Sequence, residues 1–171
     1  MWWESREFID ACTNRHKSQS DWDDLFMSIA NLAAGMSKCA SRKCGAMIVK
    51  DTRIVSFGYN GAPSGSSLCQ FPLSSDSGVC PRKRLNLPSG AGVELCPAQH
   101  AERNAITNAA RQGTATLGTT IYVSATVTPC QQCAGAIINA GIKELVCGSD
   151  NWYDSLAKRL LEESDIVVRF I

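Results

Sequence analysis

Two hydrophobic periods alternate along this chain from Asp21 onward. Trp22, Leu25, Phe26, Ile29, Leu32, Ala33 and Met36 recur at helical spacing, which predicts an amphipathic helix whose stripe packs on a core. Asp21 precedes the stripe as an N-cap, with Asp23 and Asp24 in the first turn, where negative charge suits the helix dipole. The helix ends near Gly35 to Ser37. Residues 44–50 form a short apolar run, Asp51-Thr52-Arg53 a turn, and residues 54–59 a second run, the signature of a β-hairpin. Residues 60–97 carry no period and much Ser, Gly and Pro. A connection that long is functional or is held by something other than a core.

Period returns at His100 to Arg111, a helix with Ala101, Ala105, Ile106 and Ala109 on its packing side. Residues 113–118 are a turn and 119–124 a strand. Pro129 marks the N-terminal edge of a helix over 130–140, with Gly141 as its C-cap. A strand over 143–148, a helix over 154–163 and a strand over 166–171 follow. After one leading helix the order is β-β-α-β-α-β-α-β, which describes an α/β domain of three layers, α/β/α. There is no internal repeat and no linker. Residues 1–20 are read as an N-terminal extension, with a short helix from Glu4 to Cys12 and Trp2 or Trp3 docking on the body or on a neighbouring subunit. Residues 21–171 form the domain, with an insert over 65–99. His16 is given no role.

Composition narrows the class. A chain of 171 residues fits one domain with a real core. A net charge of +1, from 17 basic and 16 acidic residues, argues against a nucleic-acid polymer as partner, which usually meets a basic face. It leaves room for a small phosphorylated ligand. Residues 1–7 contain no apolar signal core, and no apolar run approaches the ~18 residues of a membrane span. Nine cysteines without a secretion signal read as metal ligands and core thiols of a reduced, cytosolic protein rather than as disulfides. Cys12, Cys44 and Cys147 are taken as buried free thiols.

The candidate chemistry sits at two helix starts. His100-Ala101-Glu102 opens one, and Pro129-Cys130-Gln131-Gln132-Cys133 the other. One imidazole and two thiolates suit a tetrahedral zinc that keeps its fourth position open for water, the mark of a catalytic site. Glu102 is placed to carry protons without being a ligand. A zinc knuckle that staples the two helices, with Cys69, Cys80 or Cys96 as fourth ligand, is the structural alternative, and Glu102 speaks against it. His-x-Glu followed by Pro-Cys-x-x-Cys is the established signature of zinc nucleobase deaminases, and it is matched here residue for residue.

Four further segments extend that match. His100-Ala-Glu-Arg-Asn-Ala-Ile106, Pro129-Cys-Gln-Gln-Cys-Ala134, Ile137-Ile-Asn-Ala-Gly-Ile-Lys143 and Phe57-Gly-Tyr-Asn-Gly-Ala-Pro63 resemble deoxycytidylate (dCMP) deaminases. Asp21–Met27 and Gly45–Val49 are similar to the entry helix and first strand of that family. The resemblance implies the cytidine-deaminase-like fold with a mixed five-stranded sheet. It implies zinc-dependent hydrolysis of dCMP to dUMP with release of ammonia, feeding dTTP synthesis. Phage and bacterial members are most similar, because of the cysteine-bearing insert. By position, His100, Cys130 and Cys133 would hold zinc and Glu102 would shuttle protons. Asn60 would contact the sugar, and the backbone at Ala101 the base carbonyl. Trp152 or Tyr153 would lie near the base, unless both simply pack in the core.

Two departures bear on specificity. Ser124-Ala-Thr-Val-Thr128 is longer than the link that family members carry beside the base and phosphate pocket. Ser41 stands where many members have arginine, leaving Arg42 and Lys43 to supply the cation. The alternatives are a deaminase of another cytosine nucleotide, such as dCTP or a modified dCMP, and a non-catalytic regulatory subunit that binds nucleotide. The resemblance also implies a homo-oligomer, a hexamer, activated by dCTP and inhibited by dTTP. Gly58-Tyr59-Asn60-Gly61 resembles the effector-binding segment at a subunit boundary, or is simply a tight turn.

Residues 60–97 have few apolar side chains to order them, chiefly Leu68, Phe71, Leu73, Leu85 and Leu87. Ordering costs ~1–2 kcal/mol per residue. A second, structural zinc supplies that need, and four thiols are a natural closed set. The resembling phage enzymes use cysteines near the positions of Cys39 and Cys69, and Cys80 and Cys96 complete the expected set.

Overall fold

A computed structural model describes residues 17–66, 69, 80–88 and 91–171. The expected Glu4–Cys12 helix, Trp2, Trp3, Cys12, His16, Leu68, Phe71 and Leu73 lie outside the described residues. The elements are α1 (Gln19–Gly35), β1 (Gly45–Lys50), β2 (Arg53–Tyr59), a one-turn helix α2 (Pro81–Arg84), α3 (Ala101–Arg111), β3 (Thr120–Ser124), α4 (Gln131–Asn139), β4 (Glu144–Cys147), α5 (Ser155–Glu162) and β5 (Val167–Phe170). A 3-10 turn over Val93–Leu95 precedes α3. Thus the connection over 60–97 is not wholly irregular: Pro81 at a helix start and the Gly92 turn punctuate it.

The five strands lie in the order β2-β1-β3-β4-β5. β1 is antiparallel to both β2 and β3, while β3, β4 and β5 run parallel. The sheet is therefore mixed, and strand alternation divides its side chains between two layers. Met47, Val49, Tyr122 and Val146 meet Phe26 and Ala30 of α1. Ala46, Ile48, Ile121, Val123, Leu145 and Cys147 meet the other face, with Ala101, Ala105, Ala134, Ile137, Ala157 and Leu161 from α3, α4 and α5. The expected three layers are present.

α1 departs from the expected N-cap. Ser18, not Asp21, caps it: Asp21 N–H donates to Ser18 Oγ at 3.2 Å and Ser18 N–H to the Asp21 carboxylate at 2.8 Å, a reciprocal capping box. The packing stripe is also narrower than its period suggests. Leu25, Leu32 and Met36 are exposed, and Asp23, Phe26, Ala30, Ala33 and Ala34 are the buried positions. Among the described residues α1 is the helix on the β1–β3 face, and its contact there is that narrow. Cys147 is buried as expected, whereas Cys44 is only partly buried.

Two close approaches set the site. A Cβ on Gly58 would stand 2.3 Å from Ala105 N and 2.4 Å from Ala101 O, so α3 lies directly on the β2 backbone. Gly61 N–H donates to Gln99 O at 3.1 Å and Gln99 N–H to Gly61 O at 2.8 Å, pinning the residue before His100. Ala140, not Gly141, is the C-cap of α4, and Gly141 follows with φ 69°, the left-handed turn that glycine favours.

Candidate metal centre and active site

Cys130 and His100 are N-cap residues, of α4 and α3 in turn, and neither side chain caps its own helix. Both point instead at a common centre. His100 Nδ1 is 3.5 Å from Cys130 Sγ and 3.4 Å from Cys133 Sγ. A tetrahedral ion with Zn–S ~2.3 Å and Zn–N ~2.0 Å sets its ligands about 3.5 Å apart on an N···S edge. The donor set and its spacing therefore fit zinc. Among the described residues, His100, Cys130 and Cys133 are the one set of three metal-donor side chains within 4.8 Å of one another.

The electrostatics agree with a thiolate site. A hydrogen bond from Cys133, then one from His100, hold the Cys130 thiol down at about 3. Cys133 moves up, because it donates to Cys130 and is buried. Bonding to Cys130 raises His100. Glu102, only 6% exposed, shares a hydrogen bond with Cys133, and burial raises its carboxyl. A buried carboxyl that keeps its proton longer than usual beside these donors suits proton transfer.

The other expected site residues fall around this centre. Ala101 is fully buried in the first turn of α3. Asn60 is 8% exposed, and its side-chain amide braces the neighbouring backbone. Cys44 N–H donates to Asn60 Oδ1 at 2.8 Å, and Asn60 Nδ2 donates to Arg42 O at 2.9 Å. Arg42 itself is exposed. Tyr153 and Trp152 part ways. Tyr153 is 53% exposed, and burial first, then the charges of Cys130, Glu102 and Cys133, raise its phenol. Trp152 packs edge-on against Phe170 at 6.2 Å and against the core. At the end of β2, Asn104 Nδ2 donates to Tyr59 O at 2.8 Å and Asn108 Nδ2 to Phe57 O at 2.9 Å. Phe57 and Tyr59, on either side of Gly58, are thereby joined to the helix that carries Glu102.

The four remaining candidate ligands form a looser group. Burial, then the thiols of Cys80, Cys96 and Cys39, push Cys69 up to about 11, and Cys80 shares a hydrogen bond with it. Ser41 N–H donates to Cys39 Sγ at 3.5 Å. Sequence reasoning missed Asp154, whose carboxylate reaches Gln131 N at 2.8 Å. The sequence reading placed it only as the first residue of a helix over 154–163, whereas it is the N-cap of α5.

Comparison with known proteins follows the same geometry. Residues 20–149 match the family model described as the cytidine and deoxycytidylate deaminase zinc-binding region. A deoxycytidylate deaminase of Mycobacterium phage D29 is 38% identical over 134 residues, 75% of this chain and 95% of that protein. One of Schizosaccharomyces pombe is 32% identical over 167 residues, 98% of this chain and 49% of that protein. The chain thus spans about half the length of the yeast relative. In structure, the dCMP deaminase of cyanophage S-TIM5, solved in complex with dCMP and dUMP, aligns with a TM-score of 0.66 at 24% identity, over 91% of this chain and 100% of that one.

Proposed function

Because the chain belongs to the cytidine and deoxycytidylate deaminase family, we propose that it hydrolyses dCMP to dUMP and ammonia, supplying dUMP for dTTP synthesis. The observation that carries this reading is Glu102 buried against a His100–Cys130–Cys133 set whose spacing fits zinc. His100 Nδ1 and the two thiolates would hold the ion, which when bound supplies hydroxide at neutral pH by bringing the pKa of water to ~7. Glu102 would take one proton of the water and give it to the ring nitrogen, which keeps it in dUMP, and would then move the second, from the added hydroxyl, to the amine that leaves as ammonia. Asn60 Oδ1, braced by Cys44 N–H, keeps a lone pair for the sugar hydroxyl. The Ala101 backbone takes the base carbonyl, Tyr153 covers the base in place of Trp152, and Arg42 meets the phosphate.

Three finer readings go with it. A second zinc lies among Cys39, Cys69, Cys80 and Cys96, supported by the electrostatic effect of the other three thiols on Cys69. dCTP activates and dTTP inhibits through Gly58, Tyr59, Asn60 and Gly61, supported by the asparagine links from that strand to α3. The chain assembles as a homo-oligomer, a hexamer, supported by exposed Leu32, Phe57 and Tyr59 on α1 and the edge strand β2. We place it in the cytoplasm, or the host cytoplasm if phage-encoded, where reducing conditions keep its thiols free; recovery of the protein in a secreted fraction would remove that placement. Among the described residues no helix is long and apolar enough to cross a membrane.

Ammonia release across dCMP, dCTP, CMP, deoxycytidine and their methylated forms tests the proposal. Fastest release from dCMP is the expected result. A preference for dCTP or a methylated deoxycytidylate would move the assignment to that nucleotide. No release from any, with zinc bound, would leave a nucleotide-binding regulatory subunit. The same assay with dCTP and dTTP, beside sedimentation at micromolar concentration, tests the rest. Rates indifferent to both triphosphates, or an 18 kDa species alone, would remove regulation or assembly.

A further inference from the structure

The first turn of α4 has a problem that its own N-cap does not solve. The first amides of any helix lack partners within it, and an oxygen-bearing cap usually supplies one. Cys130 makes no such bond, because its sulfur is turned toward His100 Nδ1, 3.5 Å away. The missing acceptor comes from another helix. Asp154 Oδ2 accepts from Gln131 N at 2.8 Å, while its other oxygen, Oδ1, accepts from Leu156 N and Ala157 N, each at 3.1 Å, as the N-cap of α5. One carboxylate thus serves two helix starts, each through a different oxygen.

The bond closes a seam between the β3–α4 and β4–α5 loops. Thr128 N–H donates to Asn151 O at 3.1 Å, and Thr128 Oγ1 to the same oxygen at 3.3 Å. Ser149 Oγ donates to Thr126 O at 3.2 Å. These contacts fix the loop ahead of Pro129. The Asp154 bond is the one that acts on the residue directly after Cys130.

We propose that Asp154 is a positioning residue of the metal centre: through the Gln131 amide it fixes the entry turn of α4 and hence the direction of Cys130 Sγ. This rests on the zinc reading of that centre. Groups that hold a ligand in place, without touching the ion, typically change metal affinity or activity 10- to 100-fold when lost.

Two substitutions separate this role from the capping of α5. Asp154→Asn keeps one oxygen for α5 and turns the other acceptor into a donor. Gln131→Pro deletes only the donor. Proline is favoured at the first position of a helix, and Cys130 already has the extended backbone, φ −77° and ψ 168°, that precedes proline. The readout is zinc release to a chromogenic chelator, following the phase that Cys133→Ser lacks, with kcat and KM for dCMP alongside. Each variant should release that zinc about 10-fold faster and lower kcat more than it raises KM. The double variant should be no worse than the worse single one, since both cut the same bond. Release at the wild-type rate from folded Gln131→Pro, or strictly additive effects, would overturn the proposal. If Gln131→Pro does not fold, wild-type release from Asp154→Asn overturns it equally. Wild-type protein with no zinc in that phase would instead overturn the zinc reading itself.

Discussion

Under the proposed mechanism the chemistry concentrates in one side chain, Glu102. It is 6% exposed, it shares a hydrogen bond with Cys133, and burial is the largest cause of its raised pKa. Glutamine in its place has the same shape and cannot carry a proton. Glu102→Gln should therefore keep zinc and fold while turnover falls at least ~10²-fold, the lower contribution of general acid–base catalysis. Metal analysis beside a turnover assay checks this, and near-normal turnover with zinc retained would end the assignment. At this scale the grouping of His100, Cys130 and Cys133 was readable in the chain, because each residue sits in a short motif at a helix start. The bracing role of Asn60 was not, since it depends on how residues 42–44 turn back on the end of β2.

Between elements the main polar tie is Asp23, buried just past the first turn of α1. It accepts from Arg169 Nη1 at 2.7 Å and Nη2 at 3.0 Å, from the Tyr122 hydroxyl at 2.7 Å and from Gln19 Nε2 at 3.0 Å. Arg169 Nε donates to Glu144 at 2.6 Å, so α1, β3, β4 and β5 share one network. The Arg169 bonds are the largest cause holding the Asp23 carboxyl at about 2, against an ordinary 3.8. A depressed carboxyl pKa stabilises the fold above its unfolded value and loses that contribution as pH falls through its folded value. The shift is worth about 2 kcal/mol at ~1.4 kcal/mol per unit. Denaturant melts should show wild-type stability falling by about that amount more than Asp23→Asn between roughly pH 4 and 2. Parallel pH profiles would dismiss the linkage. The helical period placed Asp23 in the first turn without revealing that it is buried. Apolar periodicity marks a face but does not give the width of the layer above it, which is also why Leu25, Leu32 and Met36 were wrongly expected to pack. Asp154 stayed hidden for a related reason: its partner Gln131 is 23 residues away and meets it only once α4 and α5 lie side by side.

Across the whole molecule, the three layers followed from the element sequence, the spatial order β2-β1-β3-β4-β5 was not read from it, and the connection from β2 to α3 was the stretch that periodicity left blank. Its ends are tied to the body. Ser37 Oγ donates to Asn60 O at 2.7 Å, and Gly61 pairs with Gln99 just before His100. Between those ties few apolar side chains offset an ordering cost of ~1–2 kcal/mol per residue. Cys39 precedes β1, Cys69 and Cys80 belong to the connection, and Cys96 directly precedes the Gly61–Gln99 pairing. Cys80 opens α2 without a side-chain cap bond, so its thiol is not engaged by its own helix. Cys69 is buried and answers electrostatically to the other three. A zinc among the four would draw these segments together and contribute on the order of 10–16 kcal/mol, as structural zinc does in small peptides. It would thereby hold the approach to His100 from outside the active site. The expected metal content is two zincs per chain, falling to one in Cys80→Ser with a lower melting temperature and the His100 site still loaded. One zinc in the wild-type protein, with Cys80→Ser equally stable, would show that the connection is ordered by something other than metal.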